Sequence, residues 1–231
     1  MKIKTLEVAG FAPAFKGMRN ALDSWHLSDS KVCKDMDCNK CPFDDEELEK
    51  NSDCRKHDFI IGVKDLNLAQ RLIKGGNEHA KFMRQIQVWA DMNMPRYFWS
   101  EFDTYKFNTK NSCSTMHRLL NNTKPITLDL FTYCKEDVDL MNDAINELET
   151  LRQIYKSDKT KQKDKSRLLL RAKRLLPEGF LQLRTVNTNY AELRNIYLQR
   201  HNHRLKEEWQ DVFCGWVETL PYAKELIIYE G

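Results

Sequence analysis

The strongest constraint in the chain is an aromatic stripe near its C-terminal end. From 204 to 220, Leu205, Trp209, Val212, Phe213, Trp216 and Leu220 recur every three or four residues, the spacing that gathers side chains on one helical face. Such a face has to be buried, so the rest of the chain must supply a core for it. Other segments repeat the pattern: Val138, Met141, Ile145, Leu148 and Leu151 predict a helix over 137–155, and Tyr190, Leu193 and Ile196/Tyr197 predict one over 189–200. Asp65 is expected to cap a helix carrying Leu66, Ala69, Leu72 and Ile73, which Gly75-Gly76 ends. Pro95 suits the first turn of a helix bearing Phe98, Phe102 and Tyr105. Lys156–Lys165 predicts a charged loop, and Ser166–Leu176 a basic amphipathic helix closed by Pro177. Phe11–Trp25 is apolar but aperiodic and accommodates a short helix. Period-2 alternation marks strands at Lys2–Val8, around Ile86 and Val88, and at Leu181 and Leu183. The fold class expected is α+β, helix-dominant, one domain over 1–231.

Residues 30–58 break the pattern, with four cysteines and almost no large apolar residues. They read as a Cys-rich excursion that builds no core. Cys33, Cys38, Cys41 and Cys54 follow C-x4-C-x2-C-x12-C spacing with His57 nearby. That set suits either a structural zinc or free thiols, and no catalytic metal is expected. The seven cysteines are an odd number, and no export signal precedes them, so reduced thiols and a cytoplasmic location are expected. No apolar run approaches the ~20 residues of a membrane span. The net charge of +3 is too small for a chain that coats nucleic acid. The five lysines of 156–165 are interrupted by two aspartates, as in a solvated loop, and no aromatics are interleaved to stack bases. A zinc-stapled nucleic-acid binder built on the cysteines and the basic 156–174 segment is the weaker alternative. The sequence contains no Gly-x-Gly-x-x-Gly, Walker loop, His-Glu-x-x-His or nucleophile elbow.

Two places concentrate binding chemistry. Arg200 continues the inward stripe of the 189–200 helix, and a buried guanidinium needs a partner. It serves either an internal salt bridge or an incoming phosphate or carboxylate. Glu101, Asp103, Thr104, Tyr105 and Lys106 are followed by Asn108, Thr109, Asn111, Ser112, Ser114, Thr115 and His117. This crowd of donors reads as an ordinary polar turn or as an anion cradle.

Together these pieces resemble the flavin-dependent thymidylate synthases, in a divergent form such as those of phages, over about His79 to Leu220. The family's Arg-His-Arg, seven residues and Ser is matched by Thr104-Tyr105-Lys106 and Ser114. Its Arg-x-x-Leu-Pro is matched by Lys173-Arg174-Leu175-Leu176-Pro177, and its helical Asn, Leu, Asn and Arg by Asn189, Leu193, Asn195 and Arg200. The family's Gly-His element is echoed by Gly76-Asn-Glu-His79. The resemblance implies a small, mostly antiparallel sheet and a homotetramer with active sites shared between subunits. It implies FAD as hydride relay in the methylation of dUMP to dTMP, or of a close pyrimidine deoxynucleotide, with methylenetetrahydrofolate and NADPH as co-substrates. Carried over, Ser114 and Arg200 are the catalytic pair holding the nucleotide, with Glu101, Thr104, Ser112 and Lys173 as further substrate contacts. His79, Lys106, Asn189 and Asn195 are the cofactor contacts. Thr104 and Tyr105 depart from the family's Arg and His, which motivates the alternative of a catalytically reduced, nucleotide-binding paralogue without flavin chemistry.

Overall fold

The computed structural model describes residues 1–32 and 59–230; Cys33, Cys38, Cys41 and Cys54, with the zinc expectation attached to them, lie outside it. In chain order come β1 (Lys2–Ala9), α1 (Phe11–Met18), β2 (Lys31–Val32), β3 (Phe59–Ile60), α2 (Val63–Lys74), a 3-10 segment (Ala80–Gln85), β4 (Gln87–Pro95) and α3 (Arg96–Phe102). They are followed by β5 (Thr109–Ser112), α4 (Thr115–Arg118), α5 (Val138–Lys156), α6 (Gln162–Leu175), β6 (Leu181–Asn189) and α7 (Tyr190–Arg200). The chain then winds as a π-helix over Lys206–Cys214, passes one α-turn and makes a second π-segment at Ala223–Ile227. One antiparallel sheet has the order β1-β4-β6-β5, and β2 pairs with β3, Lys31 opposite Ile60. This is the helix-dominant α+β architecture expected. Among the described residues no helix is long and apolar enough to cross a membrane.

The described chain forms two compact units. The first comprises Met1–Ile3, Asp91–Thr104 and Lys110–Thr185. Here α5 packs on α6 and buries Ile145, Leu148 and Leu151, as their spacing predicts, against Leu120, Phe131 and Ala172. At its far end α5 carries Arg152, whose guanidinium reaches Glu149 at 2.6 and 2.7 Å and the Asn122 carbonyl at 2.9 Å. Glu149 also accepts the Ile126 N–H at 2.9 Å, so one ion pair sews the 122–126 loop to the helix. Bonding to Arg152 outweighs burial and holds the Glu149 carboxyl at about 2.

The second unit comprises Lys4–Ala90, Tyr105–Thr109 and Val186–Gly231. Its core is aromatic: Phe11 meets Tyr190 edge-on at 5.5 Å and Tyr222 at 5.7 Å, and Phe15 meets Phe82 at 5.7 Å. Gly10 turns β1 into α1 at φ 99°, where a Cβ would lie 2.3 Å from the Gln85 carbonyl oxygen. Only glycine fits that corner.

Several elements differ from their sequence-based expectation. Gly62, not Asp65, is the N-cap of α2; Asp65 sits in the first turn, fully buried, and accepts Arg19 Nε at 2.5 Å and the Ser28 hydroxyl at 2.6 Å. Burial alone raises its pKa, but Ser28, Ser30 and Arg19 more than compensate and hold the carboxyl below its ordinary value. The N–H groups of Lys64 and Asp65 are satisfied from outside the helix by the Asp29 carboxylate. α3 ends at Phe102, so Tyr105 lies beyond it. Asn108–Ser114 is not simply a polar turn: Thr109–Ser112 is the edge strand β5, whose mostly exposed side chains leave no alternation to read. α6 begins at Gln162 rather than Ser166, shortening the charged loop. The 204–220 stripe is π-helical over much of its length, a winding that three- and four-residue spacing does not distinguish from an α-helix.

Because Glu149 titrates lower in the folded chain than its ordinary 4.5, its contribution is complete above about pH 4.5 and is lost as pH falls toward about 2. Urea midpoints measured from pH 6 to pH 2 are expected to fall more steeply for the parent protein than for Glu149→Gln, with the gap closing at the acid end.

Candidate functional site

The second unit places Arg200 at the end of α7, following Tyr190, Leu193 and Ile196, each essentially without exposed surface. The predicted stripe is therefore present, and Arg200 closes it half-buried. Its guanidinium lies over the Trp209 ring, 4.5 Å from the centroid, and over Tyr105 at 5.5 Å. Arg200 Nε donates to the Tyr105 hydroxyl at 2.8 Å, and that hydroxyl donates to Gln199 Oε1 at 3.1 Å. Aromatic faces and a phenol thus offset the desolvation of this cation. Trp209 is fully buried on the π-helix.

A cavity of about 270 Å3 opens in the same unit, lined by Asn77, Ala80, Met83, Arg84, Phe107, Asn189, Ala191, Glu192, Arg194 and Asn195. Asn189 is the N-cap of α7: its Oδ1 accepts the Glu192 N–H at 3.0 Å and its Nδ2 reaches the Phe107 carbonyl at 3.5 Å. The Phe107 N–H is held by the buried Glu192 carboxylate at 3.3 Å, so the 105–109 segment is pinned to the start of α7. Arg194 donates to the Ile227 carbonyl at 2.7 Å. Burial pulls its pKa down, with the Glu230 carboxylate acting in opposition. Amide and guanidinium donors around Ala80, Met83 and Phe107 suit a flat ligand bearing carbonyl or phosphate acceptors. Of the expected cofactor residues, Asn189 and Asn195 wall this cavity. His79 is exposed between two lining residues, Asn77 and Ala80, and Lys106 is exposed beside Phe107.

The first unit has a cavity of about 300 Å3, with Leu119, Ile126, Leu130 and Phe180 among its apolar lining and Ser114, Thr115, Arg118, Asn122, Lys124 and Gln182 among its polar groups. β6 fixes its rim: the Cys113 N–H donates to the Leu183 carbonyl at 2.8 Å and Gln182 Nε2 to the Cys113 carbonyl at 2.9 Å. Lys173 Nζ donates to Thr115 Oγ1 at 2.8 Å, which brings the expected Lys173 and Ser114 to the same turn. Glu101, Thr104 and Ser112 do not line this cavity; the Thr104 hydroxyl closes α3 by donating to the Glu101 carbonyl at 2.7 Å. Beside them Asp103 accepts from Lys110 at 3.0 Å and Arg184 at 3.1 Å, while Arg184 stacks 4.3 Å from Trp99. Burial raises the Asp103 pKa, and the two cations more than reverse it.

Sequence reasoning did not name Arg118, Lys124 and Gln182 for one cavity or Arg84 and Arg194 for the other, and it named Tyr105 and Trp209 without bringing them to Arg200. Only Arg118 carried a local signal, four residues after Ser114 near the predicted cradle.

The architecture has solved counterparts. Crystallised flavin-dependent thymidylate synthase ThyX from Helicobacter pylori, complexed with FAD and dUMP, superposes with a TM-score of 0.66 at 16% identity, covering 98% of each chain. This chain has the flavin-dependent thymidylate synthase fold. A second structure of the same Helicobacter pylori protein, also with FAD and dUMP, gives a TM-score of 0.65 at 17% identity over 98% of this chain and 97% of that one. No protein-family model and no curated protein matches the sequence.

Cys113 is exposed at the rim of the first unit's cavity, Cys134 is also exposed, and Cys214 is buried with its thiol pushed up by burial and Glu218 to about 12. Alkylation at pH 8 followed by peptide mapping is expected to modify Cys113 and Cys134 in the folded protein and Cys214 only after denaturation.

Proposed function

We propose that the protein binds FAD and dUMP and converts dUMP, or a close pyrimidine deoxynucleotide, to its 5-methyl product, with methylenetetrahydrofolate as carbon donor and NADPH as reductant. The observation that carries this reading is that Asn189 and Asn195 wall one cavity and share α7 with Arg200, within a fold whose Helicobacter pylori counterpart was solved with FAD and dUMP. The cavity's residues fit a flavin: Asn77, Arg84, Asn189, Arg194 and Asn195 present donors to carbonyl and phosphate oxygens, and Met83 and Phe107 present apolar surface to a ring. When bound, FAD supplies the hydride chemistry, so the chain needs no nucleophile of its own.

The chain's part is to bind and orient. Arg200 grips the nucleotide's anionic end with a guanidinium already mounted on Trp209 and Tyr105. Ser114 offers a hydroxyl, with Lys173 one residue away through Thr115. Glu101, Thr104 and Ser112 are proposed as further substrate contacts, and His79 and Lys106 as cofactor contacts. The assembly proposed is a homotetramer with active sites shared between subunits, in the cytoplasm.

A second reading, nucleotide binding without flavin chemistry, is favoured by one observation. Tyr105, at a position where the family has histidine, spends its hydroxyl on Arg200 and Gln199, and Thr104 beside it brings no charge. Flavin uptake decides between the two. The first reading expects purified protein to carry or take up FAD with its visible absorption band and to turn over dUMP; a colourless protein indifferent to FAD contradicts it. Both readings expect Arg200→Ala to weaken dUMP binding well over tenfold, about 1.5–3 kcal/mol for a charge-assisted contact, in calorimetry. Saturating dUMP is expected to slow alkylation of Cys113 at the cavity rim.

A further inference from the structure

We infer that the first unit's cavity binds the p-aminobenzoyl-glutamate end of the folate carbon donor, with the ring inside and the carboxylates on Arg118 and Lys124. The inference rests on the reading of methylenetetrahydrofolate as carbon donor and names where the chain holds it. The cavity, about 300 Å3, is lined by residues of the first unit alone. Its interior is apolar: Leu119 and Ile126 belong to the buried core, and Leu130 and Phe180 pack against it. Its charge is one-sided. Arg118 and Lys124 are its two cations, and none of its lining residues is acidic.

Other cations of the first unit are neutralised: Arg152 by Glu149, Arg171 by Glu147, and Arg184 by Asp103. Among the described residues the side chains of Arg118 and Lys124 have no hydrogen-bond or ion-pair partner. A third cation stands beside them, for Lys156 Nζ donates at 3.3 Å to the carbonyl of Asn122, another lining residue. Half-buried Asn93, from β4, adds an amide with no side-chain partner among the described residues, so it offers a donor and an acceptor to the cavity.

Chemistry chooses among the ligands of the proposed reaction. FAD, NADPH and dUMP carry their negative charge as phosphates on sugars, which an apolar wall does not reward. A folate carries a benzoyl ring joined through an amide to glutamate carboxylates. Ring, amide and charge match Leu119 and Phe180, Asn93, and Arg118 with Lys124. Ser114, proposed above as a nucleotide contact, lines the same cavity, and its carbonyl accepts the Arg118 N–H at 3.0 Å across one helical turn. The carbon donor is thereby brought beside the nucleotide it serves.

The test is calorimetric titration of the full chain with p-aminobenzoyl-triglutamate. Parent protein is expected to bind it, and to bind triglutamate lacking the ring about tenfold more weakly, because the bare peptide leaves the apolar wall unfilled. Arg118→Ala and Lys124→Ala are each expected to weaken the probe about threefold, and together about tenfold, the scale of exposed charge pairs. Both side chains are exposed, so the variants are expected to fold with the parental melting temperature. Saturating dUMP is expected to leave the probe bound, since both substrates must be present for transfer. Parent protein that binds dUMP but not the probe overturns the inference alone. So does a ring-free peptide that binds as tightly as the probe, a double variant with parental affinity, or competition by dUMP, which would assign the cavity to the nucleotide. Parent protein that takes up no FAD and binds no dUMP overturns the functional reading, and with it the assignment of the ligand as a folate.

Discussion

A guanidinium taken out of water must be given acceptors or aromatic faces, and this requirement organises the molecule at several points. Arg19 is satisfied by Asp65, 46 residues away, which ties α1 to α2. Arg152 is satisfied by Glu149 and by the Asn122 carbonyl, which ties a loop to α5. Arg200 bonds to a phenol and stacks on an indole, which ties the end of α7 to Tyr105 and to the π-helix that carries Trp209.

The fold was legible where burial is one-sided. Helices α5 and α7 follow their apolar periodicity closely, and β1 alternates over Lys2–Thr5 before the pattern breaks at the exposed Leu6. It was illegible where side chains carry no pattern. β5 is a polar edge strand whose backbone bonds, not its residue types, define it. β4 runs on to Pro95 through Ala90, Met92 and Met94, which are buried alternately but belong to types with weak strand preference. The π-winding of 206–214 was hidden because Leu205, Trp209 and Phe213 are four residues apart, a spacing that suits i→i+5 winding as well as an α-helix.

The site divides the same way. The place of Arg200 at the end of the α7 stripe was legible from helix geometry alone, because a charged residue on an apolar stripe is a local contradiction. Asn189 was named through the resemblance, and its capping role explains why an amide stands there: the residue ends a strand, starts a helix and lines a cavity. Tyr105 and Trp209 could not be connected to Arg200 from spacing, since Tyr105 lies 95 residues before it and reads as another aromatic of a helix. Tyr105 supplies a buried hydroxyl to Arg200, the residue on which the nucleotide reading depends.

The most direct measurement is a crystal structure of the protein grown with dUMP. The account predicts an anionic group of the nucleotide within hydrogen-bond distance of the Arg200 guanidinium. A nucleotide seated elsewhere, with Arg200 touching none of its atoms, would contradict it.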